Sequence, residues 1–373
     1  MRTVNRWRSI RMGVSVPDSD PRRMISTFIG PTDPLWRSVL ERTAHDIYHL
    51  PEYVTLCGRH ENGQPLAFYS EAGEAACLIP LLARRMPPHL EAPQAWCDLV
   101  SPYGYSAPLF THPGDGEGVA RFIGSFCAAA DELGACSVLL RLHPLLKVQI
   151  GCTNPLTACV RHGQTVWIDL THSEEEFWQE TRENHRRGIR RLEQMKFAPV
   201  MDDWSLYEDF KRMYAETMAL VGAGKFYTFS EEYFATLRAT LGEKLHLCCA
   251  VSLEGRPVAG GLFTTEGDVV QYHLGGSDQG YRQLSPMKLV IHFVRLWGKQ
   301  RGYSVFHLGG GAGALEDSLF RFKAGFSPYR SEFLTLRMIP NERRYVAATH
   351  RAGRPVNLLA DLHADYFLPY RFE

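Results

Sequence analysis

No Cys-x-x-Cys pair occurs among the nine cysteines of this 373-residue chain, and no histidine cluster accompanies them at zinc-ligand spacing. That removes the ordinary structural zinc site, and no metal is expected. Net charge is absent as well, because 41 basic residues balance 41 acidic ones. Any nucleic-acid contact must then come from a local patch and not from attraction to the chain as a whole. No uninterrupted apolar stretch reaches about 18 residues, so no transmembrane segment is expected. The Arg-rich opening, "MRTVNRWRSIRMGVSVPDSDPRRM" (1–24), lacks the apolar core of a secretory signal and reads as a polar tail. Scattered thiols without a disulfide framework fit a reducing, cytoplasmic setting.

What the chain does have is material for a core. Hydrophobic residues make up 45% of it and aromatics 12%, which excludes a disordered chain, and the length suits two domains or one large one. Asp33 before Pro34 reads as a helix cap with proline at the first helical position. Short strand-like runs follow around 53–57, 66–71 and 75–83, then a helix near 116–133 and a buried strand at 136–142. After strand 165–170, Ser173 with Glu176 forms a capping box that opens a long helix, and Ser205 with Glu208 forms another. "HLCCAVSL", "EGRP" and "VAGGLFTT" make a hairpin; "VVQYHLGG", a helix at about 285–301, "YSVFHL", a short helix and "SEFLTLRM" complete the order.

"NGQPLA" (62–67) and "EGRPVA" (254–259) carry the same turn chemistry, which reads as a weak internal repeat. The class is therefore α/β, with two related halves meeting near 150–165. The succession in the second half resembles the Gcn5-related N-acetyltransferase (GNAT) plan. That resemblance implies two tandem GNAT-like subdomains with mixed central sheets, in which the strand before the main helix splays from its neighbour and opens to an acyl donor. The expected division is 25–160 for the first, 161–340 for the second, and a C-terminal segment, 341–373, packing back on the first.

Two stretches of the second half can carry chemistry. In "GGSDQGYRQLSPMKLVIHFV" (275–294), Ser285 and Pro286 start a helix whose first N–H groups suit a phosphate, with Met287 and Lys288 beside them. A capped core helix that binds nothing is the competing reading. The GNAT coenzyme A loop carries two close-approach glycines, and "QGYRQLSPM" lacks the second. In "HLGGGAGALEDSLFRFKAGF" (307–326), Gly309, Gly310 and Gly311 let backbone approach a ligand and offer N–H donors. Glu316, Asp317 and Ser318 then open a short helix, where Asp317 is either a plain cap or a functional carboxylate. Lys323, between Phe322 and Phe326, is either a partly desolvated cation able to steady an oxyanion or a snorkelling surface lysine.

Together with "DLVSPYGYSAPL" (98–109) and "MYAETMALVGAGKFYTFSEEYFATL" (213–237), the stretch around Phe322 and Lys323 resembles the Fem-type aminoacyltransferases. These are double GNAT-fold proteins that add amino acids to cell-wall precursors from aminoacyl-tRNA, and the resemblance spans most of residues 45–340. It implies amide formation on an amine acceptor, with Lys323 steadying the tetrahedral intermediate beside Phe322. It also implies aminoacyl-tRNA as co-substrate without a tightly bound cofactor. Ser285, Met287, Lys288, Gly309, Gly310, Gly311 and Ser318 are then the expected donor side. An acyl-CoA donor on the same fold, and a binding module with a decayed donor site, are the alternatives. The long helical-hairpin insertion of some wall enzymes is missing.

On the acceptor or phosphate side, "RENHRRGIRRLEQMK" (182–196) puts Arg182, Arg186 and Arg190 on one helical face, which either tracks phosphates or is a solvated face. Tyr103 and Tyr105 in "SPYGYSAP", Tyr227 in "KFYTF", and Asp317 complete the expected acceptor set. His273 and His307, in strands beside the presumed cleft, read as hydrogen-bonded core histidines before they read as bases. Oligomeric state leaves no mark in the sequence.

Overall fold

The computed structural model describes residues 24–112, 116–146, 150, 154–224 and 227–371. Apart from Met24, the expected polar tail lies outside the described residues, as do Lys225 and Phe226 of "KFYTF". In chain order the elements begin β1 (Ile25–Ile29), α1 (Pro34–Leu40), α2 (Pro51–His60), β2 (Gln64–Ala72), β3 (Ala75–Arg85), β4 (Cys97–Val100) and β5 (Leu109–Phe110). Next come α3 (Gly116–Leu133), β6 (Ala135–Arg141), β7 (Thr157–Asp169), α4 (Glu174–Glu180), α5 (Glu183–Gln194), β8 (Ala198–Met201), α6 (Tyr207–Leu220) and α7 (Glu231–Leu241). The remainder is β9 (Leu245–Val251), β10 (Pro257–Glu266), β11 (Val269–Ser277), α8 (Met287–Gln300), β12 (Val305–Gly309), α9 (Ser318–Lys323), β13 (Arg330–Met338), α10 (Glu342–Arg351) and α11 (Leu358–His363).

These form two compact units, residues 1–161 with 334–373, and residues 162–333. In the first, strands run β1-β2-β3-β4-β6-β13, antiparallel except for the parallel pair β4–β6, and β5 adds to β3. In the second they run β7-β12-β11-β10-β9-β8, antiparallel except for β11–β12. Each unit thus has a mixed sheet built as an antiparallel meander closed by one parallel pair. The expected boundary at 340 falls earlier, inside β13, and everything after residue 333 lies in the first unit.

Apolar spacing explains the helices. Along α3, Val119, Phe122, Ile123, Phe126, Cys127 and Ala130 recur every three or four residues and cover the sheet of the first unit. Along α8, Leu289, Val290, Val294 and Trp297 do the same for the second. β3 and β10 are buried almost end to end, as strands covered on both faces must be.

Four local expectations are corrected. The run 53–57 is helical, because Pro51 at the first position starts α2 and its buried residues Tyr53, Val54, Leu56 and Cys57 follow helical spacing. "NGQPLA" therefore joins a helix to β2, whereas "EGRPVA" joins β9 to β10, so the two turns stand one strand out of register. The Ser173–Glu176 capping box is present, but its helix stops at Thr181 and a second one begins at Glu183. Ser205 caps nothing: its hydroxyl bonds Asp203, which caps a 3₁₀ turn, and α6 starts at Tyr207 without a side-chain cap. Among the described residues no helix is long and apolar enough to cross a membrane.

The C-terminal segment is held in the first unit by polar anchors. Arg337 is buried and donates to the carbonyls of Leu362 and Ala364. Asp98, fully buried on β4, receives Arg84 at 2.8 Å and also Arg371 from the segment's end. Removing the carboxylate would leave two guanidinium groups uncompensated. We expect Asp98→Ala to lower the stability of this unit by about 3–5 kcal/mol, read as a lower urea midpoint; an unchanged midpoint would mean the pair is neutral.

Candidate active site

The site grows out of an unfinished strand pair. β11 and β12 are paired only at Val269–Val305, Val270–Phe306 and Gln271–His307. β11 then continues to Ser277 without β12, and its register with β10 shifts at Leu262/Phe263, where His273 is the extra residue. A bulge increases local twist and turns a strand from its neighbour. The expected splay before the main helix is thus present, and it starts between Tyr272 on one strand and Leu308–Gly309 on the other.

Lys323 reaches into that split. It is 8% exposed, and its Nζ donates to the Gly310 carbonyl at 2.7 Å, just beyond β12. The same ammonium lies 5.4 Å from the centre of the Tyr272 ring, which itself stacks on Phe263. Burial pulls its pKa down to about 8, partly offset by the Asp317 carboxylate. The surface-lysine reading is excluded. Phe322 is half-buried against the rings of His185 and Phe326, 5.4 and 5.5 Å away between centres.

The glycine loop is built mainly to close on itself. Gly309 and Gly313 have φ of 76° and 59°, in the left-handed region. A side chain at Gly311 would meet the Leu315 carbonyl at 2.0 Å and Asp317 Oδ1 at 2.3 Å. Asp317 takes the plain role: it caps α9 through Phe320 N–H at 2.8 Å and ties back to Ala312 N–H at 3.1 Å. Ser318 follows it, exposed on the first turn.

The start of α8 differs from expectation. Ser285 is not its cap: with φ 51° and ψ 57° it ends the 3₁₀ turn Gln279–Leu284, and its N–H bonds Arg282. Pro286 occupies the cap position without a side-chain bond. The N–H groups of Lys288 and Leu289 are already donated to the Ser285 and Pro286 carbonyls, both at 3.0 Å. A turn wound this tightly spends donors that a phosphate would need. Met287 is buried in the core. Lys288 is half-buried with a lowered pKa from desolvation, its Nζ 3.4 Å from the Asn184 carbonyl and close against Gly188.

The arginine face of α5 is partly committed. Arg186 grips Glu183 at 2.7 Å and the Trp178 carbonyl at 3.1 Å, and Arg190 stacks over Trp178. Arg187 and Arg191 are exposed. Tyr103 and Tyr105 belong to the first unit, where the Tyr103 carbonyl accepts from Tyr53 and Tyr105 packs edge-on to Tyr48 and His143. The Tyr227 carbonyl accepts from Tyr214 at 2.8 Å. His307 bonds Gln271 at 2.8 Å inside the sheet, as a core histidine does.

Sequence reading missed Tyr272 and His185. Tyr272 hides in a strand whose bulge no pattern marks. His185 is masked by the surrounding arginines, although it is buried and touches both Phe322 and Phe326.

Residues 179–323 match the family model of the acetyltransferase (GNAT) domain. This places a GNAT acyltransferase domain within the second unit. The crystal structure of FemX has a TM-score of 0.66 at 13% identity, covering 86% of this chain and 99% of that one. L-PGS from Bacillus licheniformis has a TM-score of 0.52 at 17% identity, covering 88% of this chain and 99% of that one. The chain is thus similar in fold to these two structures along most of its length. No curated protein matches it.

The Lys323 environment makes stability depend on pH. Below about pH 8 the lysine is charged in both the folded and unfolded states, and the folded state carries the full desolvation cost. As pH rises above 8 toward the ordinary lysine value, the folded state releases its proton first and the cost is relieved. Wild type should therefore gain on Lys323→Met across that window, by up to about 3 kcal/mol at ~1.4 kcal/mol per pH unit. Urea titrations of both proteins between pH 7 and 10.5 measure it; parallel curves would mean the ammonium is solvated.

Proposed function

We propose that this chain transfers an aminoacyl group from aminoacyl-tRNA to an amine acceptor, a cell-wall precursor or a small metabolite, and forms an amide. The observation that supports this most is Lys323, a buried cation held by Gly310 and Tyr272 where β11 and β12 part. The acceptor nitrogen attacks the ester carbonyl, a C–N bond forms, and negative charge builds on the carbonyl oxygen. The C–O bond to the tRNA ribose then breaks, and the proton lost by the amine ends on the ribose hydroxyl. A pre-positioned ammonium at low dielectric stabilises that oxyanion without reorganising. Phe322 packs the turn that carries it. Aminoacyl-tRNA as donor also places the enzyme in the cytoplasm.

An acyl-CoA donor is the second reading, favoured by the acetyltransferase domain match. Against it stands the turn before α8, where Ser285 is left-handed and the Lys288 and Leu289 N–H groups are spent internally. A diphosphate finds no ready cradle there. Exposed Arg187 and Arg191 instead offer a phosphate-tracking edge to an RNA donor.

Two measurements bear on this. Lys323→Met should keep a normal melt and lose about 100- to 1000-fold in single-turnover transfer, with charged tRNAs, acetyl-CoA and longer acyl-CoAs tried as donors and products read by mass. Transfer from acyl-CoA alone would decide for the second reading, and normal transfer by the variant would remove the lysine from the chemistry. Separately, Arg187→Glu with Arg191→Glu should raise the donor's KM and flatten its salt dependence, because lost phosphate contacts release fewer counterions. Identical salt series for variant and wild type would return this edge to a solvated face.

A further inference from the structure

We infer that His185 is a positioning residue for Lys323, holding the last turn of α9 so that the ammonium stays in the β11–β12 split. This rests on the reading of Lys323 as the oxyanion-stabilising cation. His185 is 4% exposed, and its Nε2 lies 2.9 Å from the Phe322 carbonyl. A carbonyl only accepts, so Nε2 carries the hydrogen and donates. Carbonyls of a helix's last turn lack intrahelical partners, which makes this one open to a second donor besides Gly325 N–H.

Four other contacts close the clamp. The imidazole packs edge-on to Phe326 at 4.7 Å and tilted on Phe322 at 5.4 Å. Arg182 N–H, one turn before it, donates to the Gly325 carbonyl at 2.9 Å. Gly325 lies flat against the ring: a methyl there would meet Nε2 at 2.4 Å. Lys323 and Ala324 thus lie between two points, the Phe322 and Gly325 carbonyls, that α5 and its cap residue Arg182 hold directly. Burial and the nearby Lys288, Arg182 and Arg295 charges pull the His185 pKa down to about 4, so near neutral pH it is an uncharged donor that adds no repulsion against the ammonium.

His185 touches no reacting atom in this arrangement, so its effect must show on Lys323 itself. His185→Phe keeps the ring packing and removes the donor; His185→Gln restores a donor near the Nε2 position. The pH midpoint of Lys323 labelling by reductive methylation, read by peptide mass, is followed alongside single-turnover transfer. We expect the midpoint in His185→Phe to rise by about one pH unit, as the loosened turn lets water reach the ammonium. Transfer should drop roughly 10- to 100-fold with donor KM little changed, and Gln should recover much of both. Gly325→Ala, pushing a methyl against the same nitrogen, should shift the midpoint the same way and serves if His185→Phe does not fold. An unchanged Lys323 midpoint in these variants, or equal impairment by Phe and Gln, overturns the inference. Normal transfer by Lys323→Met overturns instead the role of the lysine, while the labelling midpoint still reports whether His185 holds it.

Discussion

A lysine ammonium taken out of water governs the architecture of the second unit. Desolvating a cation is expensive unless something replaces its hydration, and here the replacement is a single carbonyl at 2.7 Å and the face of an aromatic ring. Neither neutralises the charge, which is why the pKa falls to about 8 instead of staying near the ordinary lysine value. A fold that tolerates such a group must gain elsewhere. The gain is visible in the apolar core around Phe263, Phe306, Phe320 and Phe326, all buried about the same strands and helix.

The surrounding elements follow from that requirement. The Gly310 carbonyl is available because β12 ends one residue earlier, and the Tyr272 ring is placed by a strand that has left its parallel partner and bulged against β10. The glycine loop then returns tightly enough for Asp317 to cap α9, so the short helix starts at one anchored end. Its other end is gripped by α5. Since α9 has only six residues, it holds little intrinsic stability, and these tertiary ties fix its direction.

A second buried cation organises the base of the same region. Arg295, fully buried on α8, donates to the Phe177 carbonyl, the Thr181 hydroxyl and the His292 ring. Burial lowers its pKa to about 10; burial, with the Arg295 charge adding to it, pushes His292 down to about 3 and leaves that ring a neutral acceptor. Because Thr181 is the break between α4 and α5, this guanidinium sets the angle at which α5 leaves. The chain that bears His185 therefore begins from a fixed point on the main helix.

Much of this was legible from residue order. The helices near 116–133 and 285–301, the strands at 75–83, 136–142 and 165–170 and the Ser173–Glu176 box stood where expected, and "FRFKAGF" marked the lysine. These signals are local: periodicity and capping depend on residues three or four apart. The misreadings arose where a nearby competitor changed the outcome, as when Asp203 took the Ser205 hydroxyl or the preceding 3₁₀ turn drew Ser285 into the left-handed region. What tertiary structure alone decided was which groups meet. The pairing of Lys323 with Gly310 and Tyr272, and of His185 with Phe322, joins strands and helices up to 137 residues apart. No local pattern encodes those contacts, because they depend on where two strands stop pairing and how deeply a helix is buried.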